Sequence, residues 1–241
     1  MRDTKWIAVL MAASVVAMFG FGGIRLAGQN PGAQEGVSAT SKPGMLPKDV
    51  YPDSGNRLPL VKRDQLDERT QRIYDGYANP NTKSLAGLQG PGGIRLHSPR
   101  IAEYDVPLNR YLRYETGLSR RLTELAILVT AREFDNQFEW AAHEPAALTE
   151  GLEQNIIDVV KYRKESKGLG EQEAAIIAIG RELFGARKLS SATYARGLTL
   201  FHEKGMVDLV YLMTKYAATS YVLRAFDMQL HPGQKPLLPA R

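Results

Sequence analysis

The stretch SRRLTELAILVTAREFDNQFEWAAHEPAALTEGL, residues 119–152, decides the reading of this chain. Ser119 precedes an apolar periodic run, the place where a hydroxyl accepts hydrogen bonds from the first free amides of a helix. The spacing predicts a helix over roughly 120–134, with Leu122, Leu125, Ala126, Leu128 and Val129 on its apolar stripe. Phe134-Asp135-Asn136 interrupts that pattern, and a second helix is predicted over about 137–149. Gly151 stands where a left-handed residue closes a helix.

Outward from this pair the same period recurs. Residues 63–78 read as a helix, with Leu66, Ile73, Tyr74 and Tyr77 near one face and Asn79-Pro80-Asn81 as its stop. The glycine-rich residues 84–98, which include Pro91, read as a long loop. Ser98 and Pro99 suit the cap and first position of the next helix. That helix carries Ile101, Tyr104, Leu108, Tyr111 and Leu112 before Gly117. Segments 153–162, 171–185, 190–203 and 205–230 are also helical by period. No alternating run bounded by turns supports a strand. The expected fold class is all-α.

A chain of 241 residues with 44% hydrophobic and 24% charged side chains is neither wholly disordered nor a fibrous repeat. It contains no cysteine, which excludes a disulfide, a thiolate nucleophile and a thiolate-bound metal. Part of the net charge of +5 is N-terminal, in Arg2, Lys5 and Arg25. No basic block interleaved with aromatics stands out, so no nucleic-acid partner is expected. Residues 6–24 carry no charged side chain and follow Arg2 and Lys5, the layout of a secretory signal or single anchor. The expectation is an exported protein, periplasmic or secreted, or attached to a membrane through 6–24 if the leader is retained. The expected division is a leader over 1–27, a flexible linker over 28–59, a helical domain over 60–232 and a tail over 233–241.

Four side chains could carry chemistry: Glu124, Asn136, Glu139 and His143. The last three share one helical face, and Glu139 and His143, one turn apart, can converge on one substrate. A carboxylate beside an imidazole suits acid/base catalysis near neutral pH. The same residues also fit plain structural roles. Asn136 followed by Glu139 is close to a capping box, and Glu124 suits the first turns of a helix. Sequence spacing leaves open whether Glu124 meets His143. His202 suits the end of a helix by charge. No second histidine lies at ligand spacing from His143, so no metal is expected. The glycines near residue 90 lack the lysine of a phosphate loop, and no Gly-x-Ser-x-Gly elbow is present.

With Leu118-Ser119-x-Arg-Leu-x-Glu124-Leu-Ala-Ile-Leu, Asn136-x-x-Glu139-Trp140-x-x-His143-Glu-Pro and Gly151-Leu152, the chain resembles the carboxymuconolactone decarboxylase family. That family includes the alkylhydroperoxidase-D-like proteins. Leu96-His97-Ser98-Pro99 and the helix around Tyr216 to Phe226 extend the resemblance over residues 60–232. The resemblance implies one all-α domain assembling as trimers or hexamers, with sites near subunit contacts. In the peroxidase branch two cysteines and a histidine form a thiol relay beside an upstream glutamate. Matching His143 to that histidine puts Asn136 and Glu139 at the cysteine positions and Glu124 at the glutamate. Thiol peroxidase activity is therefore excluded, and the decarboxylase-like branch is the closer match. That branch implies a cofactor-independent lyase acting on a small carboxylated lactone. His143 would donate or accept the proton, Glu139 would be its partner, and Glu124 an orienter or second acid. Asn136, Trp140 and His97 are the expected substrate contacts, with Arg95, Arg120 and Arg132 as candidates for the substrate carboxylate. Export points to a different lactone, an enone or a β-keto acid, and leaves isomerisation or hydrolysis open. The alternative is a non-catalytic helical scaffold or small-ligand binder.

Overall fold

The structure, a computed structural model, describes residues 46–82 and 84–239. The expected leader, with its apolar stretch 6–24, and the expected linker as far as residue 45 lie outside the described residues. The described residues form eight α-helices and no strand, apart from one isolated bridge between Tyr51 and Asn56. None of these helices is long and apolar enough to cross a membrane.

The helices are α1 (Glu68–Ala78), α2 (Pro91–Leu96), α3 (Pro99–Tyr114), α4 (Arg120–Glu133), α5 (Gln137–Thr149), α6 (Gln154–Lys161), α7 (Glu171–Arg181) and α8 (Ser191–Ala225). A π-turn over Glu182–Ala186 follows α7. Helix α4 is the axis of the fold: every residue from Leu122 to Arg132 is buried. It packs against α5, α6, α7 and α8. Leu125, Ile127 and Leu128 have no exposed surface, and each such side chain contributes roughly 1.5–3 kcal/mol of burial. The Ser119 hydroxyl accepts from the Leu122 amide at 3.3 Å, as the capping reading expects. Gly151 adopts φ +83°, the left-handed close expected after α5. Helices α1, α2 and α3 pack on one another, and α2 and α3 also lean on α8.

Several expectations shift. Helix α1 begins at Glu68 because Asp67 caps it, accepting from the Thr70 amide at 2.8 Å. The expected loop 84–98 contains α2, started by Pro91. A Cβ on Gly92 would press into the Tyr77 ring, and one on Gly93 would strike the Leu88 carbonyl. The glycines therefore allow close packing of a helix and do not mark a loop. Ser98 precedes α3 but makes no side-chain capping bond. Ile101, Tyr104 and Leu108 on α3 are exposed, whereas Ala102, Leu112 and Arg113 are buried. The expected break between 203 and 205 is a kink at His202, with φ 58° and ψ 176°, inside α8. Helix α8 ends at Ala225, short of 230, where Asp227 turns left-handed.

Packing also extends beyond 60–232 at both ends. The Arg57 amide donates to the Phe226 carbonyl, and the Gln229 amide to the Gly55 carbonyl, each at 2.8 Å. Val50, Ser54 and Asn56 are buried. The tail docks on the first residue of α5: the Leu237 and Leu238 amides both donate to Gln137 Oε1 at 2.9 Å.

Candidate active site

Two caps set the site. Ser119 starts α4 and so places Glu124 inside its buried stretch. Asn136 starts α5, its Oδ1 accepting from the Glu139 amide at 3.0 Å. That register puts Glu139 and His143 one turn apart on a helix packed against α4.

Glu124 has no exposed surface, yet three cationic donors meet it. Its Oε2 lies 2.6 Å from His143 Nδ1. Its Oε1 accepts from Arg113 at 3.1 Å and from Arg120 at 2.8 Å. Burial by itself would raise the Glu124 pKa. His143 and the two guanidinium groups outweigh it and hold the carboxyl down at about 2. An ionised carboxylate only accepts, so Nδ1 of His143 carries the proton of that bond. The other ring nitrogen, Nε2, is 3.4 Å from Glu139 Oε2. Burial of His143 would lower its pKa, but Glu124 and then Glu139 raise it above the ordinary value. The Tyr216 ring packs edge-on against the imidazole, with centroids 5.2 Å apart. Burial pushes the Tyr216 phenol up, so it stays protonated.

A cavity of about 1050 Å³ adjoins this group. Helix α5 contributes Phe138, Glu139 and His143 to its lining, and α8 contributes Lys215, Tyr216 and Thr219. Tyr77 from α1, Arg95 from α2 and Arg113 from α3 face it from the other elements. Arg95 and Lys215 share Asp105. Lys215 Nζ is 2.9 Å from Oδ1 and Arg95 Nε 3.3 Å from Oδ2. Arg95 also donates to the Thr219 hydroxyl at 3.1 Å. Burial, followed by the Arg95 charge, lowers the Lys215 pKa, and Asp105 and Glu139 oppose the shift. Arg69 and Arg110 also line the cavity, and each is largely exposed and paired with a glutamate, Glu103 and Glu115.

Glu124, Glu139 and His143 thus come together, with Glu124 behind the imidazole and the other two on the cavity wall. The tight partner of His143 is Glu124, where the sequence suggested Glu139. The three expected substrate contacts lie off the cavity wall. Asn136 is occupied in capping α5. Trp140 has no exposed surface, because its ring fills the main core, beneath the Lys161 ammonium. His97 is exposed, and its Nε2 bonds to the Pro59 carbonyl at 2.9 Å. Of the three candidate arginines, Arg95 lines the cavity. Arg120 is bound to Glu124, and Arg132 to Asp135 and the Lys161 carbonyl.

Nothing in the motifs points to Arg113 or Lys215, and Tyr216 enters them only through the helix that extends the resemblance. A signal existed for Lys215: it is a lysine inside the mostly apolar run from Val207 to Phe226. Among the described residues no group of three His, Asp or Glu side chains is arranged to hold a metal ion. No family profile, no curated protein and no solved structure matches the chain.

Proposed function

We propose that this protein is a cofactor-independent acid/base enzyme, a carboxy-lyase of the carboxymuconolactone decarboxylase type, acting on a small carboxylated lactone or related acid. The supporting observation is the buried Glu124–His143 bond at 2.6 Å beside a cavity of small-molecule size. Glu124 fixes the ring and favours the imidazolium, which leaves Nε2–H to be given to substrate. Arg95 is the anchor for the substrate carboxylate. As CO₂ leaves, the electron pair of the broken C–C bond moves into the conjugated lactone carbonyl. The developing carbanion carbon then takes the proton from His143, and Glu139 stabilises the ring as it recharges. No redox change occurs, so no electron carrier enters the reaction.

The chain is further proposed to be exported, periplasmic or secreted, through its N-terminal segment, and to assemble as a homo-oligomer of three or six copies. The deciding measurement is CO₂ release from 4-carboxymuconolactone and a panel of carboxylated lactones and β-keto acids. His143→Ala is expected to abolish turnover while leaving helicity and assembly intact. Turnover that survives the substitution sinks the acid/base reading. A protein that binds panel members and turns none over is a small-ligand binder, the second reading.

A further inference from the structure

The acid/base reading leaves Lys215, a largely enclosed amine of the cavity wall, without a task. Lys215 lies on α8, next to Tyr216, and its side chain is 10% exposed. It shares Asp105 with Arg95, so two cations that line the cavity stand on one carboxylate. We propose that Lys215 is an imine-forming nucleophile, and that the cavity takes small 3-oxo acids whose ketone condenses with its amine. The inference rests on this cavity being the substrate site; it does not need a lactone substrate.

Three arrangements carry it. An amine attacks a carbonyl only when unprotonated, and burial beside a second cation is the usual way a protein frees one. Lys215 has both, with Arg95 as the neighbour, although Asp105 and Glu139 work in the other direction. Asp105 stands 2.9 Å from Nζ, within reach to take the proton released on attack. Arg95 then supplies the anchor. A 3-oxo acid carries its ketone carbon two bonds from the carboxylate carbon, so its two groups would call on a guanidinium and an amine that are near each other, as two cations on the same aspartate are.

The chemistry closes without a further reactant except water. The Nζ lone pair forms a C–N bond to the ketone carbon, and the carbonyl oxygen takes up protons and leaves as water. The resulting iminium draws the electron pair of the bond to the carboxylate carbon, and CO₂ departs to leave an enamine. His143 protonates the enamine carbon. Water hydrolyses the new iminium to release the ketone and restore the free amine.

The test uses the full chain, acetoacetate and longer 3-oxo acids as probes, and sodium borohydride, which reduces an imine to a stable secondary amine. Peptide mapping by mass spectrometry is expected to find the adduct on Lys215, dependent on the 3-oxo acid. Lys215→Arg keeps the charge beside Asp105 and is expected to lose the adduct at an unchanged melting temperature. Should that variant misfold, competitive acetylation of the wild-type chain reads the same property: Lys215 is expected to label at lower pH than exposed lysines such as Lys188. His143→Ala separates the two readings, because it is expected to retain the borohydride adduct and lose steady-state turnover, the enamine being left without its proton donor. CO₂ release without an adduct on Lys215 overturns the imine and leaves the acid/base reading standing. Absence of an adduct with every 3-oxo acid, or labelling of Lys215 no earlier than Lys188, also overturns it.

Discussion

The two walls of the cavity are held in different ways. On the α4–α5 side Glu124 meets three cationic partners, and its two oxygens are both engaged. On the side built by α2, α3 and α8, Arg95 and Lys215 divide a single carboxylate. The first wall engages both oxygens of a fully buried carboxylate, which fixes the imidazole that must deliver a proton in a set direction. The second keeps a surplus of positive charge in a partly enclosed space, which suits recognition of an anion. Farther out, the rim pairs of Arg69 and Arg110 are exposed on the arginine side, where water screens them.

The largest expected effect tests the first wall. Glu124→Ala strands Arg113 and His143 in a buried place and should cost about 3–5 kcal/mol; chemical denaturation measures it. A loss under about 1 kcal/mol, the range of an exposed pair, would remove the distinction between the walls.

Acid gives the next effect. The Glu124 carboxyl is depressed in the fold from 4.5 to about 2, so its contribution is full above the unfolded value and is lost as pH falls through that window. The loss is on the order of 3 kcal/mol and should vanish in Glu124→Gln. His143 runs the other way. Its pKa is raised in the fold, so its contribution is complete below the unfolded value of about 6.5 and is lost as pH rises through the higher folded value. Thermal melts of wild type and His143→Gln against pH would show both limbs. A wild-type curve that is flat in acid argues against an ionised Glu124.

Arg95→Gln probes the second wall. It should weaken binding of carboxylated panel members by roughly tenfold, about 1.4 kcal/mol, with turnover at saturation largely kept. An equal fall in both would move Arg95 into the chemistry. Asn136→Ala should cost about 1 kcal/mol through loss of the α5 cap, and an unchanged melting temperature would show that another group fills that role. Smallest of all, Arg69→Ala should change stability by roughly 0.5 kcal/mol or less. A larger change would show the rim to be as tightly built as the α4–α5 wall.

Local chemistry made much of this molecule readable in advance. Ser119, Asn136 and Gly151 announce the limits of α4 and α5 because each acts on backbone groups a few residues away. The Glu139–His143 face follows from helical spacing alone. Helix α2 was hidden because its glycines are explained by Tyr77 and Leu88, which approach from elsewhere in the chain. Trp140 and His97 lie off the cavity wall for a related reason. Neither residue type tells whether its side chain turns to a core, to a carbonyl such as that of Pro59, or to a cavity.

The sequence by itself determined the helical class, the main helix boundaries and the adjacency of one carboxylate and one imidazole. These depend on periodicity, caps and residue chemistry within a few positions. Tertiary structure decided that Glu124 takes His143 and that Arg113 and Arg120 close around it. It also brought Arg95 and Lys215 from two helices to one wall, on Asp105 from a third. Such meetings depend on how helices pack and where burial leaves a charge with too few partners, and no spacing along the chain encodes that directly.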